Sequence, residues 1–231
     1  MNAEGPILVV APLKEELAAL LGRIDAAGTV AGRSVVAAVV GDGHRRARAA
    51  LRDLLACHRP RALIGIGVSG GLDPERAWGD VLASGAVLAL EGAAPAPDAA
   101  WVDRARVVGL PVVPFAVAPR IVPTPEAKAA LRERLGGEVA CVDLESAVFA
   151  EEAAARGVPY LVVRAVVDDA NDTVSKAILA AQDEDGHVVK AKVALAATLK
   201  PSTIRTLKGV QKRVQTCAAR LADAVQALLA D

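Results

Sequence analysis

The sequence has few aromatic residues, few cysteines and no excess of charge of either sign. Aromatic residues make up 2% of the 231 residues, and Lys+Arg and Asp+Glu are equal at 27 each. The odd number of widely separated cysteines (Cys57, Cys141 and Cys217) argues against a disulfide framework and favours a reducing, cytoplasmic compartment. The zero net charge argues against a dedicated DNA- or RNA-binding protein, which normally carries a basic excess.

Signals for metal binding, export and membrane insertion are also missing. The three histidines (His44, His58 and His187) stand apart from one another and from any cysteine at zinc spacing, so no metal site is predicted. Residues 1–5 lack the charged start and apolar run of a signal peptide. No apolar stretch reaches the roughly 20 uninterrupted residues that cross a bilayer. We therefore expect a soluble, cytoplasmic protein.

Short apolar runs alternate with helical patterns over most of the chain. Hydrophobic residues account for 53% of the sequence, and with so few aromatics the core must consist of small and β-branched aliphatic side chains. Strands are predicted at residues 7–11, 35–40, 62–67, 81–90, 112–117 and 159–167, with a weaker candidate at 106–108. Helices are predicted at residues 13–24, 45–57, 124–135, 144–156 and 203–229. This order predicts a three-layer α/β/α sandwich around a central mixed, mostly parallel sheet.

Strand signals end near residue 175, where the composition becomes basic. Residues 1–174 are predicted to form the α/β domain, and residues 175–231 a helical C-terminal extension packed on the same domain. The extension holds nine Lys/Arg against five Asp/Glu. Its basic side chains form either a solvated helix face or a weak contact for an anionic membrane surface, where each adds about 1 kcal/mol.

A glycine-rich segment, residues 65–71 (GIGVSGG), follows the third predicted strand. Glycines there let backbone N–H groups approach a phosphate or a sugar closely. A dinucleotide fingerprint is disfavoured, because such a fingerprint belongs to the first strand and opens a helix. The segment is therefore either a backbone cradle for an oxygen-rich ligand or simply a tight turn.

Two acidic positions carry the clearest chemical signal. Glu145 lies at a predicted helix entrance within residues 142–146 (VDLES), and Asp168 ends the apolar run 159–168 (PYLVVRAVVD). A carboxylate at the end of a buried strand is costly without partners, and desolvation raises its pKa towards the range of a general acid. Alternatively, Asp143 and Glu145 only favour the helix N-terminus, and Asp168 caps the next turn.

Residues 142–147 together with 159–168 closely resemble a pair of segments of the nucleoside phosphorylase and nucleosidase superfamily. This superfamily includes purine nucleoside phosphorylases, methylthioadenosine/S-adenosylhomocysteine nucleosidases and futalosine hydrolases. Residues 11–16 (APLKEE) and the glycine turns at 41–43 and 65–71 follow in the same order, so the resemblance covers roughly residues 7–170. Within the superfamily the chain looks most like the hopanoid-associated phosphorylase, which removes adenine from adenosylhopane. That finer resemblance comes from residues 70–74 (GGLDP), 124–131 (TPEAKAAL) and 183–186 (DEDG).

The resemblance implies roles for individual residues. Glu145 matches the carboxylate that accepts hydrogen bonds from both ribose hydroxyls, and Asp168 matches the acid that protonates purine N7. Glu16 aligns with the carboxylate that activates water in the hydrolytic members. Phe149, four residues after Glu145, either flanks the sugar or base or belongs to the core. The other substrate-binding positions implied are Val122, Leu144, Gly67, Val68, Ser69 and Gly70, the last four with main-chain amides that would hold the nucleophile.

The resemblance leaves open whether the nucleophile is phosphate or water. Val68 stands where serine is usual, and Gly65 replaces the phosphate-binding arginine of the bacterial purine phosphorylases. A phosphate dianion needs cationic or N–H partners. The local candidates are Lys14, Gly43, Arg45 and Arg46.

The resemblance predicts an enzyme that releases adenine from a purine nucleoside. Phosphorolysis of adenosylhopane is the first expectation, with inorganic phosphate as co-substrate and no other cofactor. Hydrolysis of methylthioadenosine, S-adenosylhomocysteine or futalosine with Glu16 as base is the enzymatic alternative. A nucleoside-binding protein without turnover is the alternative of another class. Similar members complete their sites with a neighbouring subunit, so a homo-oligomer is expected.

Overall fold

The computed structural model describes residues 5–183, 187–188 and 201–230, and only the backbone of residues 201–206. Residues 184–186 of the predicted 183–186 turn lie outside that part. The strands are β1 (Ile7–Ala11), β2 (Thr29–Val30), β3 (Arg33–Val39), β4 (Ala62–Gly71), β5 (Val81–Ala89), β6 (Gly92–Ala93), β7 (Val112–Val117), β8 (Cys141–Asp143) and β9 (Tyr160–Asp168). The helices are α1 (Lys14–Leu21), α2 (His44–His58), α3 (Ala99–Val107), α4 (Pro125–Arg134), α5 (Ser146–Ala154), α6 (Lys176–Ala181) and α7 (Pro201–Leu229).

The strands form one mixed sheet whose middle part closes on itself. β1 pairs in parallel with β3 and β4, and β4 pairs in parallel with β9. β9 continues antiparallel to β5, β5 parallel to β7, and β7 parallel to β8. β8 returns antiparallel to the last two residues of β4, which completes a ring of five strands. The predicted α/β architecture with a central mixed sheet is confirmed.

Both faces of the sheet are covered by helices, as the all-apolar strands predict. Along β1, Ile7 and Val9 belong to the core cluster shared with α1 and α7, whereas Leu8 and Val10 belong to the cluster shared with α2 and α5. The alternation follows from the two-residue period of a strand, which sends successive side chains to opposite faces. A strand buried on both sides therefore shows no polar alternation.

Two sequence predictions about strands are wrong. Residues 106–108 were expected to be extended, but residues up to Val107 belong to α3. Asp98 caps the start of that helix, because its Oδ1 accepts a hydrogen bond from the Trp101 N–H. The helix buries Val102 and Ala105, which lie three residues apart. The second error concerns residues 68–71, which continue β4 to Gly71 instead of breaking it.

The C-terminal helix α7 packs along the sheet through one face. Its buried side chains lie in the cluster that also holds α1 and β1; they are Cys217, Leu221, Ala222, Ala224, Val225, Leu228 and Leu229. Arg33 donates to the carbonyl of Leu229, and Arg104 donates to that of Leu228. Two guanidinium groups therefore supply donors to carbonyls at the C-terminus of α7 that lack partners within the helix. Across the described helices, α7 included, none combines the length and the apolar character needed to cross a membrane.

Candidate active site

A cavity of about 770 Å³ opens at the carboxyl ends of β1, β4 and β9. In α/β sheets ligands bind at this edge, because the loops that follow the strands can approach one another there. Glu16 of α1, Glu145 at the entrance of α5 and Asp168 at the end of β9 all line the cavity. The carboxylates that the sequence singles out therefore share one cavity.

Glu16 is buried, and backbone donors hold its carboxylate. Its Oε1 accepts a hydrogen bond from the Val68 N–H at 2.8 Å, and its Oε2 accepts one from the Leu13 N–H at 2.8 Å. Burial raises the pKa of Glu16 from 4.5 to about 7, although the Val68 N–H and the Arg164 guanidinium oppose the rise. A carboxyl group that titrates near neutral pH can serve as a general base.

Arg164 is a completely buried arginine in the middle of the apolar strand β9. Its Nε donates to Asp143 Oδ2 at 2.7 Å, and its Nη2 donates to Ser146 Oγ at 3.2 Å. Its Nη1 is buried without a hydrogen-bond partner among the described residues. A Cβ at Gly67 would lie 2.2 Å from this Nη1 and 3.2 Å from Glu16 Oε1, so both groups lie over the same glycine. An unpaired cationic N–H beside a carboxylate can hold a water molecule or an anion.

Glu145 is buried at the start of α5, and its role differs from that of Asp143. Asp143 Oδ1 accepts from the N–H groups of Glu145 and Ser146, so Asp143 caps the helix. Glu145 Oε1 instead accepts from the Gly43 N–H at 2.9 Å, and its carboxyl group faces the cavity. Gly43 has a φ of +88°, which favours glycine in the turn that brings this N–H to Glu145. Burial raises the pKa of Glu145 to about 8 against the lowering effect of Arg164, and Asp143 adds to the rise.

Asp168 forms an ion pair with Lys128, a residue that the sequence analysis did not single out. Lys128 of α4 donates from Nζ to Asp168 Oδ2, and its side chain is 1% exposed. The Asp168 side chain is 22% exposed and lines the cavity. Burial raises the pKa of Asp168, while the Lys128 ammonium opposes the rise. The carboxyl group forms an ion pair instead of capping the next turn.

The predicted site residues divide into those that line the cavity and those that do not. The lining residues are Glu16, Val68, Ser69, Gly70, Leu144, Glu145 and Asp168. Phe149 is buried in the core, where a Cβ at Gly65 would lie 2.4 Å from its ring and Arg164 stacks 5.5 Å from the ring centroid. Val122 packs against the apolar cluster next to α4, and its neighbour Ile121 lines the cavity instead.

The predicted phosphate ligands do not converge on the cavity. Lys14, Arg45 and Arg46 are exposed at the first turns of α1 and α2, and none of them lines it. The N–H of Gly43 is used by Glu145. The main-chain amides of residues 67–70, expected to form a nucleophile cradle, belong to strand β4, and that of Val68 donates to Glu16. Their assignment to phosphate stays a prediction. Among the residues with described side chains, no group of three or more His, Cys, Asp or Glu is placed to hold a metal ion.

Much of the cavity lining is apolar, and we call this part the apolar wall. α6, Val188 and α7 contribute to this wall, together with the end of β9, the loop after it and the loop before α4. Its apolar side chains are Ile121, Val167, Val174, Ile178, Val188, Val210 and Val214. Arg213 of α7 also lines it and pairs with Asp172 at 2.6 Å. The cavity is therefore lined by apolar side chains as well as by carboxyl groups, with the Arg213–Asp172 pair among the apolar ones.

Replacing Glu145 by glutamine is expected to stabilise the fold at alkaline pH. Since its folded-state pKa of about 8 lies above the ordinary 4.5, the unfolded chain loses this proton first. The free energy of unfolding therefore falls as the pH rises between these two values, and glutamine abolishes this loss. Thermal melts should show E145Q gaining more over the wild type at about pH 9 than at about pH 5. E126Q is the matched control, because hydrogen bonds lower the pKa of Glu126. The absence of an alkaline gain in E145Q would contradict the raised pKa.

Comparisons with known proteins agree with this geometry. The family model of the phosphorylase superfamily matches residues 21–229. Among curated protein sequences, none matches significantly. The fold is similar to that of a 5′-methylthioadenosine/S-adenosylhomocysteine nucleosidase from Streptococcus pneumoniae, solved with a transition-state inhibitor (TM-score 0.74, 19% identity, 97% of this chain and 98% of that one).

Two further solved structures are similar to the chain over nearly its whole length. One is the nucleosidase of the same kind from Colwellia psychrerythraea in complex with adenine (TM-score 0.75, 17% identity, 97% of this chain and 94% of that one). The other is a futalosine hydrolase mutant from Helicobacter pylori (TM-score 0.70, 15% identity, 96% and 98%). At these identities the likeness establishes the fold.

Proposed function

Since the chain belongs to the phosphorylase superfamily, we propose that it cleaves the N-glycosidic bond of a purine nucleoside and releases adenine. The observation that carries the proposal is the single cavity lined by Glu16, Glu145 and Asp168. Similar folds occur in nucleosidases solved with adenine or with a transition-state inhibitor, which supports the purine as leaving group.

The three carboxyl groups match the demands of the reaction. Breaking the bond between C1′ and N9 gives the sugar oxocarbenium character and leaves negative charge on the purine. Asp168 with its raised pKa donates a proton to N7 and stabilises the departing base. Glu145 hydrogen-bonds the ribose hydroxyls and fixes the sugar. Glu16 activates the nucleophile on the other side of C1′.

Water is the nucleophile that the geometry supports best. Glu16 titrates near neutral pH, and the unpaired Nη1 of Arg164 lies beside it, so a water molecule would find an acceptor and a donor together. A phosphate dianion would instead meet the buried carboxyl groups of Glu16 and Glu145, with Arg164 as the one buried guanidinium in the part of the chain that the structure describes. One observation supports phosphorolysis as well. The unpaired Nη1 of Arg164 could bind phosphate, because arginine N–H groups are good phosphate donors.

The apolar wall supports a nucleoside with a large apolar 5′ substituent. Apolar side chains of α6 and α7, namely Ile178, Val210 and Val214, line the same cavity as Asp168 and Glu145 and are the candidates to contact the 5′ group. Adenosylhopane has such a substituent, whereas methylthioadenosine has only a small one. Contact of the basic C-terminal segment with a membrane and assembly into a homo-oligomer both remain predictions.

The proposed function is tested by incubating the purified chain with a panel of 5′-substituted adenosines, with and without phosphate. We expect adenine release without phosphate and a free ribosyl product, with faster turnover for apolar 5′ groups. Release that depends on phosphate and yields a ribose 1-phosphate product would establish phosphorolysis instead. No release from any member of the panel, with adenine nevertheless bound in calorimetry, would indicate a binding protein.

A further inference from the structure

Lys128 is buried to an extent that is unusual for a lysine. Its side chain is 1% exposed, although every other residue of α4 is at least partly exposed. Taking an ammonium group out of water is costly unless all its hydrogen bonds are satisfied. Nζ meets this condition, because it donates to Asp168 Oδ2, to the Asp169 carbonyl at 2.6 Å and to the Asp172 carbonyl at 3.2 Å. All three ammonium protons are therefore used.

The backbone that carries Lys128 is fixed by a well-capped helix start. Thr124 Oγ1 accepts from the Ala127 N–H at 3.3 Å, and the Thr124 carbonyl accepts from the Lys128 N–H at 2.9 Å. Pro125 occupies the first turn, where its fixed φ suits a helix. The Val174 N–H donates to the Pro123 carbonyl just before the cap. The start of α4 is thus hydrogen-bonded to the loop after β9. That loop forms part of the cavity wall.

We propose that Lys128 is a positioning residue for the acid of the reaction, a proposal that rests on the proposed function. Lys128, which does not itself line the cavity, holds Oδ2 of Asp168 and leaves Oδ1 for the purine. When the bond between C1′ and N9 breaks, its electron pair moves into the purine and the Asp168 proton moves to N7. The resulting carboxylate stays paired with the Lys128 ammonium, which keeps all its protons.

The proposal predicts a change in acidity that a merely structural lysine would not cause. An ammonium in contact with a carboxyl group lowers its pKa by about 1–3 units. Around Asp168 the other charges are Asp172, which raises its pKa, and Arg213, which lowers it. Without Lys128 the acid becomes weaker, so the rate falls. The pH at which Asp168 loses its proton, and with it activity, moves upward.

The test compares K128M with the wild-type chain by kinetics, using the fastest 5′-substituted adenosine of the panel. We expect kcat to fall about 10- to 100-fold, the usual effect of losing a charged hydrogen-bond partner, with little change in KM. The alkaline limb of the pH profile should move up by about 1–3 units. K128R, which keeps the charge, should leave this limb in place. R132M is the matched control, since Arg132 lies one turn further on α4 and faces Asp73 at 3.7 Å.

A double variant separates positioning from a purely structural effect. In a D168N background, K128M should cause no further loss of kcat, because Lys128 acts through Asp168. An unchanged alkaline limb in folded K128M, or an equal loss of kcat with and without Asp168, would overturn the proposal. If K128M does not fold, K128Q, which keeps an N–H donor without the charge, takes its place with the same expected shift. A wild-type chain inactive on the whole panel would instead refute the proposed function.

Discussion

Replacing Asp168 by asparagine is expected to lower the rate of adenine release by about 10²–10⁴-fold, the usual contribution of one general acid. Asparagine has nearly the same shape and can still accept the hydrogen bond from Lys128, but it carries no acidic proton for N7. Binding of adenine should therefore change little, whereas kcat should fall strongly. Initial rates of adenine formation, together with calorimetric binding of adenine, measure the two effects separately.

D73N is the control for this experiment. Asp73 is also an aspartate in an ion pair, with Arg132 at 3.7 Å, but it does not line the cavity. Its variant should keep the wild-type rate. Equal activity of D168N and the wild type would reject Asp168 as the acid. A loss of adenine binding together with activity would indicate that Asp168 holds the base without protonating it.

Apolar strands were the part of the fold that sequence reasoning could predict. β1 has the predicted bounds, and β7 and β9 differ from prediction by at most one residue at an end, because strands buried on both faces are continuous apolar runs. β2, β6 and β8 have two or three residues each, too few for any period to appear. β4 was cut short because its glycines were interpreted as a turn. Nothing in the local sequence shows that Arg164 needs the space above Gly67.

The candidate site was predictable where a charge interrupts an apolar run. Glu145 and Asp168 stand out for this reason, and the structure places both at one cavity. Arg164 also interrupts the apolar run that ends at Asp168, so it was as visible in the sequence as Asp168. Its hydrogen bonds, however, go to Asp143 and Ser146, and only the fold brings these residues near. Lys128 had no signal at all, because a lysine in a surface helix is normally exposed.

Three acidic residues that line the cavity surround a single buried cation. Asp143, Glu145 and Glu16 all lie near Arg164, which is the only buried guanidinium among the described residues. It is costly for Glu16 and Glu145 both to be charged in this desolvated place beside one guanidinium. Burial is the main cause that raises the pKa values of Glu16 and Glu145, to about 7 and about 8, and Arg164 opposes both rises. Near neutral pH one of the two is ready to act as a base.

Glutamine at position 16 should lower the rate of hydrolysis by about 10²–10⁴-fold, because it cannot accept the proton of the attacking water. The wild-type rate should rise with pH through about 7, where Glu16 becomes ionised in the folded protein. E16Q should lose this acid limb and keep the alkaline limb that depends on Asp168. Rates of adenine release measured below and above pH 7 show whether the acid limb is lost.

The neighbouring acid and added phosphate complete the test of Glu16. E15Q is the control, since Glu15 belongs to the same helix turn but does not line the cavity, and its pH profile should match the wild type. Phosphate should not restore E16Q, because the predicted phosphate ligands Lys14, Arg45 and Arg46 do not line the cavity. Restoration by phosphate would contradict water as the nucleophile, since phosphate attacks C1′ without a base to activate it. An E16Q variant with wild-type rates and an intact acid limb would show that another group activates the water.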